Sequence, residues 1–354
     1  MSTVEVKQIT LQDVSFEEDI FIDVRSPAEF TEYQIPNAIN VPLFSNEERA
    51  KVGTAYKQKS KEHAIELGLS MYAPKILAFF KKLKGLQEEM PTKRMVIYCW
   101  RGGMRSKTIA GTVGLLGVEC YQLVGGIRSF RQYVQKGLEQ EALKKRNFIV
   151  VAGHTGSRKT EILQVLKRKG YPVIDLEALA GHRGSIFGHI GMKPKSQKQF
   201  ESLLLEQLQQ LENSSYLIIE AESKRIGHII LPDFIIKGKE NGVRVELDYP
   251  FWSRVEHIYN TYQPEKYKEN IYEAIMKMRK YLSSQLLDEL DVLQQKEDFK
   301  SIFSKLLEEY YDPRYDYAFS KYQTSSIHIE FEDLNSGVGK MIAFIEKYRT
   351  KITG

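Results

Sequence analysis

The chain has 354 residues, of which 42% are hydrophobic and 27% charged, a composition typical of globular proteins and unlike that of disordered, collagen-like or coiled-coil chains. No apolar run reaches the roughly 18 residues of a membrane span, and the acidic first twenty residues lack a signal-peptide core, so we expect a cytoplasmic protein with no membrane association. Two cysteines are too few for a disulfide framework or a four-cysteine zinc site, and the net charge of +5 permits an anionic partner.

Short apolar runs that end at turns recur along the chain and predict strands at 21–24, 95–99, 147–153, 171–177 and 215–222. Helical patterns separate them, including 71–87 and a charged connector at 128–147. Because strands alternate with helices, we predict parallel α/β sheets. From residue 251 onward the pattern is helical. We predict two domains, residues 1–138 and 139–354, the second ending in a helical segment.

Cys99 ends an apolar strand and precedes a loop rich in glycine and arginine. Glycines 102 and 103 let the backbone approach closely, and converging N–H groups form an anion-binding nest that favours a thiolate. Cys99 is therefore the predicted catalytic residue, and the predicted anion loop comprises Trp100, Arg101, Gly102, Gly103, Met104 and Arg105. Two other interpretations stay open: an inert buried cysteine, or a cysteine phosphatase that uses the Cys-x5-Arg spacing. Cys120 is expected in the core.

Four motifs surround this loop in order: IDVRSPAEF (22–30), IPNAINVPL (35–43), YCWRGGMRS (98–106) and LVGGIRSF (123–130). Together they resemble the rhodanese (sulfurtransferase) domain over residues 8–135. The resemblance implies a parallel-sheet domain in which Cys99 carries a persulfide-type group. Asp23 and Arg25 are expected to organise the sheet edge and the loop.

A second motif, VVAGHTGSRKTEIL (150–163), follows an apolar strand and opens a helix, nearly matching the phosphate loop Gly-x4-Gly-Lys-Ser/Thr. The predicted phosphate-binding residues are Gly153, His154, Thr155, Gly156, Ser157, Arg158, Lys159 and Thr160. Arg158 stands where the motif has glycine, and it either adds a phosphate contact or blocks the pocket. An ordinary strand–turn–helix with a capping threonine is the alternative. With this loop, the second domain is predicted to be a P-loop α/β domain.

Polar residues follow the next two predicted strands, near the expected ligand end of a parallel sheet. The candidate ligand or magnesium-linked residues are Asp175, His182, Arg183, Ser185, Glu220, Glu222 and Arg225. Mg²⁺ is thus a candidate cofactor, although no all-protein metal site is predicted. Solvated strand-end carboxylates paired with Lys224 or Arg225 are the alternative.

The segment 251–322 interleaves tyrosines with lysines and arginines. Such residues can stack on bases and neutralise phosphates of RNA, but at helical spacing they equally form one packed and one solvated face. The motif YYDPRYDYAF (310–319) is too aromatic for a plain linker, and we expect it to pack the tail onto the phosphate-loop domain.

The chain resembles the tRNA 2-selenouridine synthase family over nearly its whole length. The resemblance rests on five motifs that occur in this order: CWRGGMRS, the phosphate loop, HRGSIFG, ESKRIG and YYDPRYDY. The resemblance implies a tRNA partner whose wobble 2-thiouridine is S-geranylated from geranyl diphosphate. Selenium from selenophosphate, supplied by a selenophosphate-producing enzyme, then replaces the geranylthio group. A sulfurtransferase fused to an ATP-dependent RNA-modifying or kinase domain, and a noncatalytic RNA- or nucleotide-binding regulator, are the alternatives.

Overall fold

A computed structural model describes residues 5–319 and 326–353. Contacts divide the chain into two compact units. The first comprises the residues up to Glu141 together with Glu201–Leu205, and the second comprises the remainder. Each unit has its own parallel sheet, which agrees with the α/β fold expected from the alternating pattern.

The first unit contains a five-stranded parallel sheet with the order β1-β5-β4-β2-β3. Its two central strands are buried at every residue, because helices cover both faces of the sheet. The strands are β1 Gln8–Ile9, β2 Ile20–Asp23, β3 Ile39–Asn40, β4 Met95–Tyr98 and β5 Tyr121–Leu123. The helices are α1 Pro27–Glu32, α2 Asn46–Gln58, α3 Lys61–Tyr72, α4 Ile76–Glu89, α5 Met104–Leu115 and α6 Gly126–Leu143.

The helix expected over 71–87 is interrupted at its start. Helix α3 ends at Tyr72, a 3-10 turn occupies Ala73–Lys75, and α4 begins at Ile76. Pro74 lies in this turn. Since proline lacks the N–H that a continuous helix requires, the α-helical hydrogen-bond pattern is interrupted here.

The second unit contains another five-stranded parallel sheet, ordered β12-β11-β6-β8-β7, and an antiparallel pair β9–β10. The strands are β6 Asn147–Ala152, β7 Val173–Ile174, β8 Tyr216–Glu220, β9 Arg225–Ile226, β10 Ile229–Ile230, β11 Val243–Asp248 and β12 Ile327–Glu330. The helices between them are α7 Lys159–Arg168, α8 Leu176–Ala180, α9 Gln197–Gln210 and α10 Asp233–Asn241.

The C-terminal segment is mostly helical, as expected, but it also contributes a strand. Its helices are α11 Phe251–Tyr262, α12 Pro264–Met278, α13 Ser284–Gln295, α14 Phe299–Leu306, α15 Asp312–Phe319 and α16 Leu334–Thr353, with a π-helical turn at Leu307–Tyr311. Strand β12 pairs in parallel with β11 and completes the sheet. Within the described ranges, no helix has the length and apolar character needed to cross a membrane.

Many tail tyrosines pack inward rather than forming an exposed stacking surface. Tyr262 and Tyr310 are buried in a cluster with residues of α11, α12 and α14, and Tyr272 stacks on Phe299. Trp252 and Tyr281 are exposed. The packed-face interpretation therefore accounts for much of the aromatic pattern. Residues 320–322, which closed the predicted basic segment, lie outside the described residues.

Candidate active sites

Cys99 directly follows β4, at the carboxyl end of the first sheet. Its side chain is buried, with 3% of the residue exposed, and Sγ lies 3.2 Å from the Ser106 hydroxyl oxygen. The loop after it leads straight into α5, which begins at Met104. The order strand, cysteine loop and helix N-terminus is the arrangement that the sequence predicts.

Contacts from β5 and the start of α6 hold the loop closed. The Gln122 side-chain amide donates to the carbonyl oxygens of Gly102 at 2.6 Å and Gly103 at 3.3 Å. The Ile127 N–H donates to the Cys99 carbonyl at 2.9 Å. Gly102 has φ +64°, and a Cβ there would lie 2.5 Å from the Leu123 carbonyl oxygen, so only glycine fits without a shift.

Arg105 is engaged by Glu29 of the first predicted motif. Its two terminal nitrogens lie 2.8 and 3.3 Å from the Glu29 carboxylate oxygens. Although burial opposes ionisation of Glu29, the hydrogen bond and charge of Arg105 hold its pKa below the ordinary value. Arg105 therefore reaches an oxyanion only if it leaves or shares this partner. Arg101, Trp100 and Met104 are exposed around the same loop.

Asp23 and Arg25 form a buried ion pair at the end of β2. Arg25 also donates to the Tyr33 carbonyl oxygen at 2.5 Å, and Asn40 donates to the Asp23 and Arg25 carbonyls. These contacts tie β2 to β3, which agrees with the structural role expected for both residues. Cys120 lies just before β5 in the core, where burial raises the pKa of its thiol to about 11.

The phosphate-loop motif lies between β6 and α7, at the carboxyl end of the second sheet. Lys159 is the first residue of α7, and its ammonium group donates to the carbonyl oxygens of Gly153 at 2.5 Å and His154 at 3.2 Å. Burial lowers the pKa of this ammonium, an effect that the nearby Glu177 opposes. The loop therefore curls around the lysine that the motif predicts.

A cavity of about 520 Å³ opens over this loop. The loop contributes Gly153 and every residue from Thr155 to Thr160, whereas His154 lines a separate cavity of about 540 Å³. The Ser157 residue is 1% exposed, and its hydroxyl oxygen has no hydrogen-bond partner among the described residues. Gly156 has φ +85° and lies against the Arg254 carbonyl, so a side chain would disturb the loop.

Arg158 adopts the left-handed conformation that glycine usually supplies, with φ 59° and ψ 22°. Its guanidinium group pairs with Glu161, one contact measuring 3.1 Å, and lies 5.9 Å from the centre of the Tyr249 ring. The arginine thus lines the cavity while its charge is partly held by α7. It neither fills the pocket nor breaks the turn.

Two carboxylates approach the loop, Glu177 from α8 and Glu222 from the segment that follows β8. The Thr160 hydroxyl donates to Glu177 at 3.2 Å, and Glu222 lies beside Glu177. Burial and the charge of Glu222 raise the pKa of Glu177 to about 8. Burial likewise raises the pKa of Glu222, against the effect of Lys159. Sequence reasoning selected Glu222 but missed Glu177, two residues after Asp175.

The other candidate ligands divide into two groups. Arg183, Ser185 and Glu222 line the cavity. Asp175 instead caps α8 by accepting from the Ala178 N–H at 2.8 Å, and the buried Glu220 accepts from the Leu176 N–H at 2.9 Å.

His182 and Arg225 are not among the residues that line this cavity. His182 lies beside Gly184, and Arg225 is exposed on β9. In the described parts of the chain, no cluster of three or more histidine, cysteine, aspartate or glutamate side chains could hold a metal ion.

Residues of the tail also line the cavity, and none of them was predicted as a site residue, although the tyrosines among them lie in the segment 251–322 considered for RNA binding. These lining residues are His257, Ile258, Thr261, Tyr262, Tyr311 and Tyr315. The motif at 310–319 does pack onto the phosphate-loop domain, as expected: the Tyr315 hydroxyl accepts from the Gly153 N–H at 2.6 Å. The excess of tyrosine in that motif was the available signal.

Both units of the chain are similar in sequence to known protein families. Residues 146–341 match the model of the tRNA 2-selenouridine synthase AAA domain, and residues 7–133 match the rhodanese-like domain. The tRNA 2-selenouridine synthase of a Sulfurovum species is 32% identical over 93% of this chain and 94% of its own length. The chain belongs to the tRNA 2-selenouridine synthase family.

Two other tRNA 2-selenouridine synthases show how far the similarity extends. The protein of Proteus mirabilis is 34% identical over 87% of this chain and 91% of its own length. That of Nitrosomonas europaea is 36% identical over 68% of this chain, and the match spans 63% of that relative. These relatives are named as synthases, so the chain belongs to a family of enzymes, and it matches both domain models itself.

Proposed function

We propose that this protein converts the wobble 2-thiouridine of tRNA to 2-selenouridine in two steps. In the first step, the thiouridine sulfur attacks the allylic carbon of geranyl diphosphate, so that an S–C bond forms and diphosphate leaves. In the second step, the selenium of selenophosphate attacks the same base carbon, geranylthiolate leaves, and hydrolysis of the Se–P bond releases phosphate and leaves selenium on the base. Family membership supports the tRNA substrate, and the two loops support the division into steps.

The observation that carries the first step is the set of donors at the phosphate loop. The buried Ser157 hydroxyl has no partner in the described structure and lines the cavity together with Lys159 and Thr160. A buried polar group without a partner is costly, and a ligand oxygen would satisfy it. The N-terminus of α7 adds a favourable potential for a phosphate group. This combination suits a diphosphate, the leaving group of the proposed alkylation.

Mg²⁺ is a candidate companion of that diphosphate. It prefers oxygen ligands and is commonly bound through one or two carboxylates, waters and substrate phosphates rather than by an all-protein cage. Thr160 and Glu177 are the residues here that would hold it, and they already contact each other. Bound Mg²⁺ would screen the charge of the diphosphate.

The cysteine loop is assigned to the selenium step. Selenophosphate is a small anion, and the loop offers backbone N–H groups at a helix start together with the exposed Arg101. Cys99 directly precedes this loop, and its Sγ lies beside the Ser106 hydroxyl. We propose that Cys99 acts at this step only, since alkylation of sulfur by an allylic diphosphate requires no protein nucleophile.

The experiment is nucleoside mass analysis of tRNA carrying 2-thiouridine after incubation with the purified protein. Geranyl diphosphate alone should yield S-geranyl-2-thiouridine, and geranyl diphosphate with selenophosphate should yield 2-selenouridine. Neither product should require ATP. Product formation that depends on ATP hydrolysis, or that ignores geranyl diphosphate, would instead support a sulfurtransferase fused to an ATP-dependent domain.

A further inference from the structure

Helix α15 lies against the start of the phosphate loop. The Tyr315 hydroxyl accepts from the N–H of Gly153, the first residue of the loop, at 2.6 Å. The same hydroxyl lies 3.4 Å from Arg244, whose guanidinium forms a buried pair with Glu246 of β11. One tyrosine therefore connects the loop to a fixed charge pair in the sheet.

The next residue along α15 holds the next residue of the loop. Asp316 Oδ1 lies 2.9 Å from Nε2 of His154. The His154 ring also lies against the Tyr315 ring, with 4.7 Å between the ring centres. Asp316 is largely exposed, at 68% of its side chain, so its contact with His154 can be altered without opening the core.

A third contact reaches the third residue of the loop through an arginine of α11. Arg254 donates to the Thr155 carbonyl oxygen at 3.2 Å and pairs with Asp312, the first residue of α15, at 2.7 and 3.0 Å. Two successive loop residues are thus held directly by α15, and the third is held by Arg254 of α11, which α15 contacts through Asp312. Within the loop itself, the Lys159 ammonium donates to the carbonyl oxygens of Gly153 and His154.

A phosphate loop binds its ligand well when its N–H groups are oriented before the ligand arrives, because ordering a loop on binding costs affinity. This loop also contains Arg158 in a left-handed conformation, which is strained for a residue other than glycine. We propose that Tyr315 and Asp316 are positioning residues that hold the start of the loop in the shape that receives a diphosphate. The inference rests on the proposed function of the loop.

The test compares geranyl diphosphate binding by the full-length protein and its variants, using isothermal titration calorimetry. Tyr315→Phe removes only the hydroxyl that holds Gly153 and should weaken binding about five- to tenfold. Asp316→Asn removes the charge opposite His154 and should weaken binding about two- to threefold. Tyr281→Phe, a change at an exposed tyrosine of the tail, is the matched control and should bind as the wild type.

A kinetic measurement separates positioning from general damage to the fold. In both variants the KM for geranyl diphosphate should rise, while selenium insertion into tRNA that already carries S-geranyl-2-thiouridine should proceed at the normal rate. Equal loss of both reactions would contradict a positioning role. If Tyr315→Phe lowers the melting temperature steeply, the exposed Asp316→Asn variant decides the question.

Lys159→Ala distinguishes failure of the inference from failure of the proposed function. If Lys159→Ala loses diphosphate binding while Tyr315→Phe and Asp316→Asn bind normally, the positioning role is wrong and the phosphate site remains. If Lys159→Ala binds geranyl diphosphate as the wild type does, the loop is not the diphosphate site and the proposed function itself fails.

Discussion

Arg158 shows how one residue can depart from a motif without destroying it. The sequence left open whether this arginine blocks the pocket or contacts phosphate. In the structure its backbone takes the conformation that glycine would take, and Glu161 and Tyr249 hold its side chain along the cavity edge. A motif gives backbone requirements, but it does not say which neighbours will hold a substituted side chain.

We predict that Arg158→Gly retains or strengthens diphosphate binding. Glycine accepts the left-handed conformation without strain, and the remaining loop donors and Lys159 stay in place. The measurement is the Kd of inorganic diphosphate for both proteins, with Lys159→Ala as the negative control. Loss of binding in Arg158→Gly would mean that the guanidinium group leaves Glu161 and is itself a phosphate ligand.

The raised pKa of Glu177 makes the free energy of unfolding depend on pH. Its pKa is about 8 in the folded protein and 4.5 ordinarily, because burial and Glu222 disfavour its charged form. Between these values the folded state retains a proton that the unfolded state has released. The contribution of Glu177 to stability is therefore fully present below pH 4.5 and is lost as the pH rises through about 8.

In the Glu177→Gln variant, stability should fall less steeply as the pH rises than it does in the wild type. The measurement is the urea midpoint of unfolding between pH 5 and pH 8.5, with the exposed Glu240→Gln as a matched control that should keep the wild-type slope. An unchanged slope in Glu177→Gln would contradict the assignment. The sequence does not predict this behaviour, because it depends on the burial of Glu177 and on the charge of Glu222, which follows β8 and is distant in sequence.

At the scale of elements, the strands adjoining both loops were predictable because each is a short apolar run ending at a turn. Strand β12 was not. Only Ile329 of its four residues is buried, so the segment lacks the continuous apolar run of β6 or β8. Its position depends on parallel pairing with β11 and on packing by α16, which are contacts distant in sequence.

Ile329→Ala tests the contribution of β12 to the second unit. Ile329 is 7% exposed and packs in a cluster with Phe331, Val338 and Met341. Removing a buried isoleucine side chain should cost about 2–5 kcal/mol in the free energy of unfolding, measured by urea denaturation. Ile327→Ala, on the same strand at 40% exposure, should cost much less. Equal costs would show that β12 is not a packed part of the sheet.

The whole molecule combines two loops with different chemical requirements. Both loops were predictable from the sequence, because a cysteine loop and a phosphate loop each depend on residues that are close together in the chain. The residues that contact these loops from other elements were not predictable in the same way. Glu29 on Arg105 and Tyr315 on Gly153 join residues 76 and 162 positions apart, and no local pattern marks such pairs.

The proposed function assigns sulfur alkylation to the phosphate loop and selenium insertion to Cys99. Nucleoside mass analysis of tRNA treated with geranyl diphosphate and selenophosphate tests it most directly. Lys159→Ala should lose about 2–4 kcal/mol of transition-state stabilisation, by analogy with an oxyanion donor, and form little of either product. Cys99→Ala should accumulate S-geranyl-2-thiouridine without 2-selenouridine. A folded, tRNA-binding Cys99→Ala protein that forms 2-selenouridine at the normal rate, or that cannot geranylate, would contradict the account.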